Sequence, residues 1–183
     1  MTEPRGRRSP RAVRGARRIA RYLLRRRYSG TGTVDSTDYD FLRRAAELAF
    51  EAERSGNVPI GAVIVLDGRV IAEGRNMVYR PLRHPGRHAE TEALRAVPDE
   101  MWPRAREMTC YSTLEPCLMC LSTLYFHGVQ RIVYGASAPA GGAGVLIDDL
   151  PWYMGGIQWV GPLRDETSRE LRRRVRRSLL RNV

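Results

Sequence analysis

The sequence predicts an α/β sandwich, a mixed sheet with helices on both faces, and three observations carry that prediction. Helical and strand-like apolar patterns alternate in the order α-β-β-α-β-α-β between residues 35 and 144. The first two strands meet across Asp67-Gly68, the strongest short hairpin signal a sequence offers. A length of 183 residues suits one domain with a proper core plus tails, and is too short for two comfortable domains.

Each element has its own local reason. The ordered region is expected to begin near Asp35, where Thr37 can cap a helix with Phe41, Leu42, Ala45, Leu48, Ala49 and Ala52 on one side, ending at Gly56. The β-branched runs "IGAVIVL" and "RVIAEG" then form the hairpin. A polar loop from Asn76 to Arg87 leads into "HAETEALRAV", a helix whose apolar side is Ala89, Ala93, Leu94 and Val97. "MTCYS" (108–112) reads as a strand, followed by a helix from Cys117 to about His127. The strand "RIVYG" (131–135) and a Gly/Ala/Pro loop (136–144) come next. From Arg164 a last helix has Leu171, Val175, Leu179 and Leu180 as its only apolar stripe.

The net charge of +11 is unevenly placed. Residues 1–34 carry eleven Arg against Glu3 alone, and residues 164–183 carry eight Arg against three acids, so the body between them is mildly acidic. We therefore expect a basic N-terminal extension (1–34), a central domain (35–163) and a basic C-terminal helix (164–183). All 31 basic residues are Arg, which suits bidentate contact with phosphates, although a coding bias gives the same composition. Within the extension, "RAVRGARRIARYLLRRRY" (11–28) has the spacing of a basic amphipathic helix, and "SGTGT" (29–33) that of a linker. No uncharged apolar run approaches the roughly 20 residues needed to span a bilayer. Three cysteines without a signal-peptide core point to a reducing compartment, so the expected location is the cytoplasm.

Two of those cysteines carry the chemistry. Cys117 and Cys120 stand at i and i+3 behind Pro116, so at a helix start both sulfurs point the same way, where the first-turn amides favour thiolate. Two facing thiolates invite a borderline d¹⁰ cation, which then needs nitrogen or oxygen. His88 opens its own helix and precedes Glu90 in "HAE". One His and two Cys leave a fourth tetrahedral position open for a water that zinc acidifies, and Glu90 is placed to move its proton. The competing readings are a redox pair and a closed structural site completed by His84, His127 or Cys110. His84 reads as an exposed loop residue, His127 as a partner for the last helical carbonyls, and Cys110 as a small buried hydrophobe.

The pair H-x-E and P-C-x-x-C, here His88-Ala89-Glu90 and Pro116 to Cys120, is similar to the signature of zinc-dependent nucleobase deaminases. Residues 38 to about 146 resemble the cytidine deaminase-like superfamily, and within it the bacterial tRNA adenosine deaminases. The likeness extends to "NVPIGAVIVLDGRVIAEGRN" (57–76), "STLEPCLMC" (112–120) and "RIVYGASAPAGGAG" (131–144). The resemblance implies a three-layer α/β/α sandwich with a five-stranded mixed sheet, one Zn²⁺ per subunit and a homodimer. It also implies that Asn76 hydrogen-bonds the target base, Ile60 packs on it and the Ala89 backbone contacts its edge. Ala138 stands where the tRNA enzymes usually carry an acid, and the C-terminal arginines come without that group's aromatics. Adenosine in tRNA is the leading substrate on this likeness. Free guanine, a nucleoside or a specialised purine is the alternative, and a non-catalytic zinc protein that binds nucleic acid is the second.

Overall fold

The computed structural model describes residues 32–138, 140–151 and 154–181. The segment 11–28, whose spacing allows a basic amphipathic helix, lies outside them. Among the described residues nine regular elements follow in order: α1 (Ser36–Arg54), β1 (Gly61–Leu66), β2 (Arg69–Arg75), α2 (Ala89–Arg95), β3 (Thr109–Leu114), α3 (Leu118–Phe126), β4 (Arg131–Ala136), β5 (Gln158–Val160) and α4 (Glu166–Arg181). Two 3₁₀ segments, Asp99–Glu107 and Ala143–Asp149, complete the description. The sheet order is β2-β1-β3-β4-β5, antiparallel across β2-β1-β3 and parallel across β3-β4-β5. A five-stranded mixed sheet is therefore present, as the family resemblance implied.

Strand alternation assigns the layers. Ala62, Ile64, Cys110, Ile132, Tyr134 and Trp159 face the cluster containing Ala89, Ala93 and Leu121 of α2 and α3. Their neighbours Val63, Val65, Tyr111, Val133 and Val160 face Leu42, Ala45 and Leu48 of α1. Leu171 of α4 packs on Ala46 and Ala49 of α1. All six residues of β1 are buried because helices cover both faces of this interior strand.

The ends of the elements refine the sequence reading. Asp35, not Thr37, caps α1: its carboxylate accepts from the Thr37 and Asp38 amides, and Asp38 returns a bond to the Asp35 amide. An ionised oxygen is the stronger acceptor for helix-end amides, so the reciprocal pair wins over a hydroxyl. The helix closes at Arg54 with Gly56 just beyond at φ +80°. Asp67 and Gly68 both have positive φ, as a two-residue hairpin turn requires. The last helix buries Leu171 and Val175, while Leu179 and Leu180 remain exposed. β5 was not visible in the residue pattern, since it has only three residues.

Asp38 also explains how α1 is fixed to the sheet. Its fully buried carboxylate accepts from Tyr111 Oη at 2.8 Å and pairs with Arg131 Nη2 at 3.0 Å, joining α1, β3 and β4. On the other face, a Cβ at Gly74 would lie 2.2 Å from the Ala89 carbonyl oxygen, so glycine lets α2 sit directly on β2.

Candidate active site and metal centre

His88 and Cys117 occupy equivalent positions. Each is the extended residue at the N-terminal cap of its helix, and neither side chain is spent on capping. Their carbonyls nevertheless start the helices, accepting from Glu92 N and Leu121 N at 2.9 Å. Both side chains are thus free to turn toward the space between α2 and α3, and Cys120 joins them from the first turn of α3.

The three donors form a triangle. Cys117 Sγ lies 3.6 Å from Cys120 Sγ, and His88 Nδ1 lies 3.7 Å from Cys117 Sγ and 3.5 Å from Cys120 Sγ. Tetrahedral zinc, with metal–sulfur bonds near 2.3 Å and metal–nitrogen bonds near 2.0 Å, spaces its ligands by about 3.5–3.8 Å. The donor set and its spacing therefore fit zinc, with one coordination position left over. Among the described residues this is the one group of His, Cys, Asp and Glu donors within mutual metal-binding reach.

The electrostatics couple the three donors. The Cys117 thiol is pulled down to about 4 by the Cys120 hydrogen bond and by His88, whereas Cys117 and burial push Cys120 up. His88 is raised, chiefly by Cys117. Glu90 is buried beside the triangle, its Oε2 3.4 Å from Cys120 Sγ, and Ser112 donates to its Oε1 at 3.0 Å. Burial raises the Glu90 carboxyl above its ordinary value, which suits a group that must hold a proton and release it.

Behind the cysteines a second carboxylate organises the backbone. Glu115 accepts from Ala138 N and Gly144 N, both at 3.0 Å, so the loop after β4 wraps around it. A Cβ at Gly142 would meet that carboxylate at 2.5 Å, and one at Gly144 would do the same. The wrapped loop is joined to the metal-binding turn by a bridge between Cys117 and Gly142 and by Ala143 N donating to the Pro116 carbonyl at 2.9 Å.

Other sequence-selected residues sit as follows. Asn76 is buried, its Oδ1 accepts from Val78 N, and its backbone N donates to the Ile60 carbonyl at 2.9 Å, so these two residues are brought together. Met77 N then donates to Arg87 O, tying that corner to the residue before His88. Ile60 packs against the cluster that contains Ala89. His84 stays outside the metal-binding group and is exposed, while His127 Nδ1 sits 2.8 Å from the Thr123 carbonyl and Cys110 is fully buried. Ser112 and Glu115 were missed. Strand alternation from Cys110 puts Ser112 on the α2 face and offered a signal; for Glu115, nothing in the local pattern did.

With that geometry in view, residues 35–136 match the model described as the cytidine and deoxycytidylate deaminase zinc-binding region. The chain belongs to this family. A deaminase relative from Agrobacterium fabrum, named tRNA-specific adenosine deaminase, is 43% identical over 107 residues, covering 56% of this chain and 68% of its own. The zebrafish tRNA-specific adenosine deaminase 2 is 36% identical over 124 residues, covering 62% of this chain; the match spans 56% of the zebrafish protein. A solved structure from studies of A-to-I editing by tRNA:A34 deaminases at the wobble position superposes with a TM-score of 0.63 at 34% identity, covering 73% of this chain and 99% of the other. Members of this family are zinc-dependent hydrolases, and His88, Cys117 and Cys120 are the donors that could hold the metal here.

Proposed function

We propose that this deaminase converts adenosine to inosine in tRNA, with Glu90 as the catalytic acid and base. The observation that carries the chemistry is a buried carboxylate 3.4 Å from one sulfur of a three-donor metal site. When bound, zinc lowers the pKa of a water in its open position toward neutrality. Glu90 would carry one proton of that water to the ring nitrogen and the second, from the hydroxyl then attached to the ring carbon, to the exocyclic amine. Water oxygen replaces the amino group, and ammonia leaves. Ser112 holds the carboxylate in one orientation throughout.

For substrate recognition, Asn76 has its Oδ1 engaged by Val78 N, which leaves its amide nitrogen as the donor for the base. Ile60 supplies an apolar wall, and the Ala89 backbone meets the base edge. The tRNA substrate is supported by the names of the relatives and by the arginine-rich ends. We assign residues 1–34 to a basic extension, 35–163 to the deaminase domain and 164–183 to its basic helix. A second copy of the chain is the natural cover for Leu118, Met119 and Phe126, which α3 leaves exposed, the last at 70%. The working location is the cytoplasm; among the described residues no helix is long and apolar enough to cross a membrane.

The test is ammonia release from an anticodon stem-loop RNA, adenosine, guanine and cytidine. Turnover confined to the RNA supports the reading. Turnover of free guanine or a nucleoside that survives deletion of residues 1–34 replaces it with the small-molecule alternative. Tight RNA binding without any deamination replaces it with a zinc-containing binding protein.

A further inference from the structure

We propose that the cleft formed by Ser137, Arg164, Arg169 and Arg172 binds a backbone phosphate of the RNA substrate; this rests on the RNA reading above. The cleft lies between the end of β4 and the first turns of α4 and encloses about 340 Å³, with Gly135, Pro162 and Ser168 completing its walls. Its three arginines are exposed, and among the described residues no carboxylate pairs with any of them. Two nearby acids, Asp165 and Glu170, are occupied elsewhere, and Glu166 makes no ion pair with these arginines. Asp165 accepts from Ser168 N at 2.8 Å, and Glu170 is held by Arg174, which also binds Glu53.

Two features show that the cleft is built. A Cβ at residue 135 would meet Ser168 Oγ at 2.5 Å, so glycine brings α4 against the strand end and sets the arginines over it. Arg164 has φ +57°, a left-handed conformation that side-chain-bearing residues rarely adopt, at the corner where the chain enters α4. The cleft is tied to the metal-binding turn through the backbone. Ser137 lines it, the next residue's amide is held by Glu115, and Glu115 stands two positions before Cys117. A phosphate here would therefore be gripped by the same loop that braces the metal site. Guanidinium forks match phosphate oxygens bidentately, and a solvent-facing grip on one phosphate gives binding that weakens with salt.

The experiment compares wild type, R164Q/R169Q/R172Q and a charge-matched control, R176Q/R177Q/R181Q, on a stem-loop RNA, adenosine and AMP at several salt concentrations. We expect the cleft variant to keep its zinc and its kcat, and to raise KM for RNA about tenfold at low salt. Its plot of log affinity against log salt should be shallower by about 0.7–0.9, the contribution of one phosphate. Adenosine, which carries no phosphate, should respond identically in wild type and the cleft variant. Equal losses in the cleft variant and the control overturn the proposal in favour of diffuse attraction. A loss on AMP with RNA unaffected also overturns it, assigning the cleft to a mononucleotide. A wild type that neither binds nor deaminates RNA instead removes the reading on which the proposal rests, a result separable from the other two.

Discussion

Replacing Glu115 by alanine tests whether the loop after β4 braces the metal site. The carboxylate accepts two backbone hydrogen bonds of 3.0 Å, from Ala138 and Gly144, in a partly buried position. Hydrogen bonds to a charged acceptor contribute about 1.5–3 kcal/mol each, and partial exposure favours the lower end, so the loss should be about 3 kcal/mol. Glutamine retains one acceptor but turns an N–H₂ toward the other amide, so Glu115→Gln should lose about half as much. Because Cys117 bridges to Gly142 and Pro116 binds Ala143, freeing the loop also loosens the Cys117 turn. Supporting contacts of this kind change metal affinity by roughly 10–100-fold. Urea unfolding gives the stability change, and competition with a chromophoric chelator gives the zinc affinity. An unfolding midpoint and zinc affinity both equal to wild type in Glu115→Ala would refute the bracing argument.

Other perturbations separate the structural groups from the metal ligands. Asp38→Ala strands Arg131 and Tyr111 without their shared carboxylate and should cost about 3–4 kcal/mol in urea unfolding, with the zinc content of the folded fraction unchanged. Cys110→Ala should lower stability by about 1 kcal/mol and leave zinc at one per chain, since this buried thiol lies outside the donor group. Arg87 holds the Glu92 carboxyl below its ordinary value of 4.5 through a two-pronged ion pair. A depressed carboxyl stabilises the fold above its unfolded pKa and loses that contribution as pH falls through the folded one. Glu92→Gln should therefore be about 1 kcal/mol less stable than wild type at pH 7, with the gap narrowing below pH 4.5 in pH-resolved unfolding.

How much of this was legible in the residues depended on distance along the chain. The metal ligands were readable because an i, i+3 cysteine pair and an H-x-E triplet are local patterns with a chemical reason. The hairpin and the four α-helices were readable from turn chemistry and periodicity. The cap of α1 was misjudged by two residues, since both Asp35 and Thr37 are competent caps and only the reciprocal bond from Asp38 decides between them. β5 escaped because three residues carry no period, and its place is set by parallel pairing to β4. Glu115 escaped for a related reason: its two partners lie 23 and 29 positions away, in a loop whose path no local pattern announces.

The account's central claim is a division of labour between three residues that hold zinc and one that moves a proton. The most direct measurement is zinc content per chain, read beside ammonia release, in Glu90→Gln. We predict one zinc per chain, as in wild type, with turnover reduced by about 10²–10⁴-fold. Loss of the metal, or turnover equal to wild type, would contradict the assignment.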